Sequence, residues 1–292
     1  MNLYDLSAPA KLNLFLHVTG RRADGYHLIQ SVFMLIDWCD TLNLALRTDG
    51  FISREDLGDT GNWSLPPDDL IVRAARALQR ASRTTLGAHI GVQKRLPMQA
   101  GLGGGSSDAA TCLLGLNRLW GLNCTVAQLS KIGLALGADV PFFLCGHNAW
   151  VEGIGERITP LVGDQRLPPA QFVVVKPQQG VETASIFSSQ QLKRDTATAT
   201  ILGFAANPYG FGHNDLQPVA QNACPEINDV LSWLHAQNLE GRMSGSGSVV
   251  FAPLVGAPAG RQAAIVPFEG WQWRQCSNLD VHPLVGWASS DI

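Results

Sequence analysis

Apolar and polar residues alternate near the start of the chain. Between Ala10 and Val18 every second residue is apolar, and this period of two predicts a β-strand. The intervening positions form the other face of that strand and are occupied by Lys11, Asn13, Phe15 and His17. Residues 31–36 and 41–46 predict two further strands beyond the turn-forming segment 20–25. We therefore expect the chain to begin with β-structure.

Later segments show the helical spacing of three to four residues. One predicted helix covers 68–81 and begins at Asp68 and Asp69; another follows Thr125 and Gln128, which form a capping box. The remaining predicted elements are a strand over 88–93, a helix over 106–119, a hairpin over 150–161, a strand over 172–176, a helix over 225–237 and a strand over 248–253.

The order of these elements predicts the fold class. Strands and helices mix without strict alternation, which favours α+β. Residues 188–212 show no clear period. A soft boundary near residue 155 divides the chain into two expected domains, 1–155 and 156–292.

The composition of the chain excludes several classes of protein and of binding partner. The chain has 292 residues, of which 46% are apolar and 15% charged, with a net charge of −3; this excludes a disordered protein and gives no basic footprint for nucleic acid or an anionic membrane. Its six cysteines contain no C-x-x-C pair, so reduced thiols in a cytoplasmic protein are expected rather than zinc or disulfides. No signal peptide or membrane span is predicted. The expected partners are small molecules, and the expected state is a monomer or weak homodimer.

A glycine-rich segment, Pro97-Met-Gln-Ala-Gly-Leu-Gly-Gly-Gly-Ser-Ser107, carries the strongest functional signal. Its glycines bury no side chain, but they let backbone N–H groups approach a ligand closely. The segment leads directly into the predicted helix 106–119, whose N-terminus presents further unpaired donors and the positive end of the helix dipole. This arrangement predicts a phosphate site.

Three kinds of phosphate loop, and a plain glycine-rich linker, are possible interpretations of this segment. A Walker A loop requires a Lys after its last glycine, but no Lys lies between Arg95 and Lys131. A dinucleotide fingerprint is a poor match, because Ser106 stands where its third glycine belongs. The segment resembles most closely the phosphate loop of the GHMP kinases, Pro-x-x-x-Gly-Leu-Gly-[Gly/Ser]-Ser-[Ser/Ala], with one extra glycine. A linker would not normally lead into an amphipathic helix.

The resemblance extends over most of the chain. The segment 8–27 resembles the opening of a GHMP branch that acts on a cytidine diphosphate-linked alcohol in isoprenoid precursor synthesis. The segments 137–141, 242–248 and 278–283 fit the same family. The resemblance implies the GHMP kinase fold, with two α+β domains and the active site in the cleft between them. It places ATP on Pro97, Met98, Gln99, Ala100, Gly101, Leu102, Gly103, Gly104, Gly105, Ser106 and Ser107.

The family also implies two catalytic residues. By itself Lys11 could be a solvated strand residue and Asp139 an ordinary turn residue. The family carries a catalytic Lys at Pro-Ala-Lys-x-Asn, which matches Lys11, and its base at Gly-Ala-Asp-[Val/Ile]-Pro, which matches Asp139. We expect Asp139 to leave the preceding helix because Val140, which precedes a proline, should be extended.

Substrate-binding residues are carried over in the same way. Where the branch binds its cytidine, this chain has Tyr26, His27, Thr183 and Phe187, and Asn13 and Asp139 complete the expected substrate site. Two aromatic rings can enclose a pyrimidine while an imidazole reads its edge. Without the resemblance, Tyr26 and Phe187 could equally be core residues.

The implied reaction is ATP-dependent phosphorylation of the 2-hydroxyl of a methylerythritol that carries cytidine diphosphate. Mg²⁺ is expected with ATP, and Ser107 is one candidate ligand. The chain departs from the family at Gln99 and Ala100, at Asp69, where an Asn that helps to hold adenine is usual, and at Ala184, where a Pro is common. The alternatives are a GHMP kinase for homoserine or a mevalonate derivative, and a nucleotide-binding protein without catalysis.

Overall fold

The computed structural model describes residues 1–58, 65–254 and 269–290. It begins with a long antiparallel hairpin made of β1 (Asn2–Arg21) and β2 (His27–Arg47). The prediction of two separate strands over 31–36 and 41–46 is wrong, because β2 runs through both. Pairing on both of its edges keeps this strand continuous: β1 lies along one edge, and β5 and β4 share the other.

Two sheets organise the described residues. In the first, the order is β3-β4-β2-β5-β6, with β1 paired to β2; its other strands are β3 (Ile52–Asp56), β4 (Gly87–Gln93), β5 (Ala149–Gly153) and β6 (Arg157–Pro160). In the second, the order is β10-β7-β9-β8; its strands are β7 (Gln171–Lys176), β8 (Arg242–Met243), β9 (Val250–Pro253) and β10 (Gln272–Ser277). The predicted α+β class is confirmed.

A bulge interrupts the regular alternation of β1. Asn13 pairs with Phe33 and Leu16 with Ser31, so β1 has one more residue than β2 over this stretch. Phe15 therefore packs in the same apolar cluster as Leu12 and Leu14 rather than on the opposite face. Lys11, Asn13 and His17 are buried as well. The predicted strand is confirmed, but its division into two regular faces is wrong.

The helices flank these sheets. In chain order they are α1 (Leu70–Ser82), α2 (Gly104–Leu119), α3 (Val126–Leu134), α4 (Val140–Cys145), α5 (Thr183–Ser188), α6 (Ile201–Ala205), α7 (Gln217–Ala223) and α8 (Glu226–Ala236). The capping box of Thr125 and Gln128 is present at α3. Helix α2 begins two residues earlier than predicted, because Gly103 takes the left-handed conformation at the N-cap. None of the helices in the described ranges is long and apolar enough to cross a membrane.

Residues 1–155 and residues 156–292, called here the first and the second half of the chain, share a core. One apolar cluster includes Leu12 and Trp150 from the first half, and Phe172 and Phe251 from the second. The segment 278–290 then returns to the first half, where Leu284 and Ala288 join its main cluster. Strand β1 thus stands between both halves, and it carries Lys11 into the region where they meet.

Candidate active site

A cavity of about 660 Å³ opens beside the phosphate loop. Its wall comes from both halves of the chain. Residues 97–106, together with Lys11 and Asp139, come from the first half, and the segments 181–183 and 245–247 come from the second. Ser107 is the one predicted ATP-binding residue that is not part of this wall; its side chain is fully buried behind the loop.

The phosphate loop is shaped by residues in the left-handed conformation. Gly101 and Gly103 have φ values of +73° and +70°, and Gln99 has φ +50°. A Cβ at Gly101 would lie 2.2 Å from the carbonyl oxygen of Ser244, so only glycine fits there without displacing the backbone. At Gln99, where the resemblance implies a glycine, the chain accepts this backbone conformation with a side chain.

The second half of the chain supports the loop directly. The Ser244 hydroxyl donates to the Gly101 carbonyl at 3.2 Å and accepts the Asn13 N–H at 3.0 Å. The N–H of Val249 donates to the Ala100 carbonyl at 3.3 Å. The glycine-rich turn 244–248 therefore holds the loop against β1, while the first N–H groups of α2 have no acceptor within the helix. Those donors are suited to an anion.

Lys11 and Asp139 form an ion pair in the wall of the cavity. The Lys11 ammonium lies 3.6 Å from the Asp139 carboxylate and donates to Asn13 Oδ1 at 2.6 Å. Burial lowers the pKa of Lys11, and the negative charge of Asp139 opposes that shift. Asn13 is held in turn by Ser31, whose hydroxyl accepts from its amide at 2.9 Å. Asn13 itself lies behind Lys11 and outside the cavity wall.

Asp139 reaches this position differently from the sequence expectation. It is the N-cap of α4, and its carboxylate does not bond that helix. The prediction that Val140 is extended is wrong, since Val140 is the first helical residue and Pro141 the second. A proline is tolerated in the first turn, where its missing N–H would have no partner. The carboxylate is therefore free to face Lys11.

A buried ionic cluster that sequence reasoning missed lies under the phosphate loop. Lys94 donates to both Asp40 and Asp108, and Asp40 also accepts the N–H groups of Arg95 and Leu96 just before the loop. Asp108 Oδ1 has no hydrogen-bond partner, and burial raises the pKa of Asp108 to about 7. The only sequence signal was a basic residue between a strand and a phosphate loop.

Asp69 is occupied by other contacts. One carboxylate oxygen accepts the Val72 N–H at 2.9 Å and caps α1, and the other lies 2.8 Å from Arg54 Nε. The side chain still forms part of the cavity wall. In contrast to an Asn, an ionised carboxylate has no hydrogen to donate.

Only two of the four residues predicted to bind the base line the cavity, and they lie at one end of it. Phe187 and Thr183 line the wall, and the Thr183 hydroxyl bonds that of Ser246 at 2.7 Å. The His27 ring lies beside Phe187, with ring centroids 5.3 Å apart, and is not part of the wall. Tyr26 does not line the wall and is 60% exposed.

Within the described residues no group of three or more His, Cys, Asp or Glu side chains could hold a metal ion. Ser107 Oγ is buried without a partner.

Comparison with known proteins identifies the family. Residues 69–147 match the model of the GHMP kinase N-terminal domain, and residues 200–264 match that of the GHMP kinase C-terminal domain. A curated 4-diphosphocytidyl-2-C-methyl-D-erythritol kinase of Polaromonas sp. (strain JS666) is 62% identical, over 98% of this chain and 94% of its own. The chain belongs to the 4-diphosphocytidyl-2-C-methyl-D-erythritol kinases of the GHMP family.

Other similar proteins support the same family or share its fold. The protein of the same name from Delftia acidovorans is 61% identical over 99% of both chains. The solved structure of a 4-(cytidine 5'-diphospho)-2C-methyl-D-erythritol kinase is 32% identical and superposes with a TM-score of 0.77, covering 95% of this chain and 99% of its own. The homoserine kinase of Cytophaga hutchinsonii, at 15% identity and a TM-score of 0.67, shares the fold, with 96% of this chain and 95% of its own covered. The predicted family and GHMP fold are confirmed, and the chain is a small-molecule kinase, a class that uses ATP.

Proposed function

We propose that the chain transfers the γ-phosphate of ATP to the 2-hydroxyl of 4-diphosphocytidyl-2-C-methyl-D-erythritol. The observation that carries this proposal is the Lys11–Asp139 pair, 3.6 Å apart, in one cavity with the glycine-rich loop and Phe187. The proposed phosphate donor site, base and aromatic wall would thus be within reach of one substrate. The names of the relatives support the same substrate.

Phosphoryl transfer to an alcohol passes through a loose transition state, so positioning and charge stabilisation dominate its catalysis. In the proposed mechanism Asp139 orients the 2-hydroxyl and accepts its proton as the bond to phosphorus forms. The Lys11 ammonium holds the Asp139 carboxylate and offsets negative charge on the transferred group. Asn13 fixes Lys11 through its 2.6 Å hydrogen bond.

Mg²⁺ is proposed to enter with ATP. When bound, it neutralises charge on the phosphate oxygens. Because Mg²⁺ generally binds one or two protein oxygens besides phosphates and water, the absence of a three-acid cluster in the described ranges is compatible with it. The unpartnered Ser107 Oγ is the protein oxygen that we propose would hold it.

The cytidine is proposed to bind at the Phe187 end of the cavity. Phe187 would stack on one face of the pyrimidine, and the exposed Tyr26 would cover the other. His27 and Thr183 would contact its polar edge. The 60% exposure of the Tyr26 side chain in the free protein leaves it apolar surface to bury when the base binds.

The setting of the reaction is also proposed. Six free cysteines favour the cytoplasm, where thiols stay reduced. Two domains are proposed, with a soft boundary near residue 155, although β6 just beyond it still pairs with β5. The proposed working state is a monomer or weak homodimer. Light scattering coupled to size exclusion measures the oligomeric state.

The function is tested by ³¹P NMR of purified protein with ATP, Mg²⁺ and the cytidine diphosphate alcohol. We expect a new phosphate monoester signal and stoichiometric ADP. Protein carrying Asp139→Asn, purified identically, controls for a contaminating kinase. Homoserine and mevalonate are assayed in parallel. Faster phosphorylation of either would replace the proposed substrate, and ATP binding without transfer to any alcohol would favour a non-catalytic nucleotide-binding protein.

A further inference from the structure

Arg194 connects the parts of the proposed base site. Its Nε donates to His27 Nε2 at 2.9 Å. Its terminal nitrogens donate to three backbone carbonyls, those of Leu192 at 2.9 Å, Ser189 at 2.6 Å and Phe187 at 3.4 Å. One guanidinium thus joins the start of β2 to the end of α5 and the loop that follows.

This contact determines which nitrogen of His27 carries the proton. A guanidinium is always charged and can only donate, so His27 Nε2 must present its lone pair. A neutral imidazole then has its hydrogen on Nδ1, at the other edge of the ring. Burial lowers the pKa of His27, and the positive charges of Arg194 and Arg21 lower it further. Both effects keep the ring neutral.

The remaining nitrogen is available to a ligand. Nδ1 has no hydrogen-bond partner among the described residues, and it is not one of their buried unpartnered atoms, so it is accessible at the surface of the half-buried ring. Its ring lies against Phe187, which forms the cavity wall. An N–H donor at this place distinguishes two pyrimidines: cytosine has a hydrogen-bond acceptor at N3, whereas uracil has an N–H there. Both bases carry an acceptor at O2, so only a contact at N3 separates them.

We propose that Arg194 is a specificity-determining positioning residue, which fixes His27 as an Nδ1–H donor and thereby selects cytosine over uracil. The inference rests on the proposed function, because it assigns a role to the base end of that site. Arg194 does not touch the base itself. It acts through His27 and through the carbonyl of Phe187.

Competition by CDP and UDP against the alcohol substrate tests the proposal. In the wild type, CDP should compete at least about tenfold better than UDP. With UDP, the N3–H of uracil and the Nδ1–H of His27 would face each other as two donors without an acceptor. Arg194→Met, which removes every donor, should bring the two inhibition constants within about threefold and leave the KM for ATP unchanged. Lys193→Met removes an exposed neighbouring charge and should behave as the wild type. Arg194→Lys keeps the positive charge but loses the planar guanidinium with its several donors. If this variant still discriminates between CDP and UDP as well as the wild type, the role of the guanidinium is overturned.

A second measurement uses the intact protein, in case Arg194→Met unfolds. In ¹⁵N-histidine-labelled wild type, with His27 assigned by its loss in His27→Gln, Nδ1 should give the protonated signal and Nε2 the unprotonated one. The reverse pattern would overturn the proposal, as would equal competition by CDP and UDP in the wild type. If neither nucleotide competes, the cytidine function itself fails.

Discussion

The ammonium of Lys94 donates to the Asp108 carboxylate at 2.6 Å, beneath the phosphate loop. Both side chains are almost completely buried. Asp40 shares the same ammonium and holds the N–H groups of Arg95 and Leu96. The cluster therefore links β2, the segment before the loop, and α2, which together determine where the loop lies.

Asp108→Asn should change how stability depends on pH. Burial raises the pKa of Asp108 to about 7 in the folded protein, against about 3.9 in an unfolded chain. The stability that a neutral Asp108 provides is therefore complete below pH 4 and is lost as the pH rises through 7. In urea unfolding, the stability of the variant relative to the wild type should increase by roughly 2 kcal/mol between pH 5 and pH 8. Parallel pH profiles would show that Asp108 is already ionised at pH 5.

Asp139→Asn should reduce kcat by ~10² or more, because the amide cannot accept the hydroxyl proton. The carboxylate is not used to cap α4, so the melting temperature should change little. The KM for ATP should also stay close to that of the wild type. Steady-state kinetics and a thermal melt measure these quantities. A variant with nearly wild-type kcat would make Asp139 a structural residue and leave the base unassigned.

Gly101→Ala should disrupt ATP binding through a clash with the glycine-rich turn. Its Cβ would lie 2.2 Å from the Ser244 carbonyl oxygen. Gly121→Ala is the matched control, because Gly121 has φ +64° but no atom within 4 Å of an added Cβ. Both variants carry the strain of a positive φ, about 1 kcal/mol, and only Gly101→Ala should raise the KM for ATP by tenfold or more. Equal kinetic effects in the two variants would attribute the loss to backbone strain alone.

Tyr26→Ala should raise the KM for the cytidine substrate by roughly tenfold, since stacking on a base contributes ~1–3 kcal/mol. The melting temperature should be nearly unchanged because the side chain is 60% exposed. Tyr4→Ala removes a tyrosine of similar exposure, 64%, away from the cavity. It should leave both KM values as they are. If the two variants have the same kinetics, Tyr26 does not contact the base.

Local patterns predicted the parts of the fold that depend on near neighbours. The N-cap at Asp69 and the capping box of Thr125 and Gln128 need only a few consecutive residues. The continuity of β2 could not be predicted in this way, because it depends on three partner strands. The bulge in β1 depends equally on its pairing with β2.

The residues of the site likewise differ in whether they could be predicted from short segments of the sequence. The glycine loop is one contiguous segment, and Lys11 and Asp139 lie in short motifs that a family resemblance can identify. Asp40, Lys94 and Arg194 lie in no such motif, because their contacts join distant segments. Arg194 in particular bonds a histidine far away in the sequence and three carbonyls, which carry no residue identity.

The return of segment 278–290 to the first half has a consequence for biosynthesis. Leu284 and Ala288 belong to the main core of the first half, and the His282 N–H donates to the Gly146 carbonyl at 2.8 Å. While the ribosome is still translating the second half, the first half lacks part of its own interior. Its apolar surface stays uncovered until residue 288 has emerged from the exit tunnel. A chain stalled before residue 278 is therefore expected to be a substrate for chaperones or proteases rather than a folded half-enzyme.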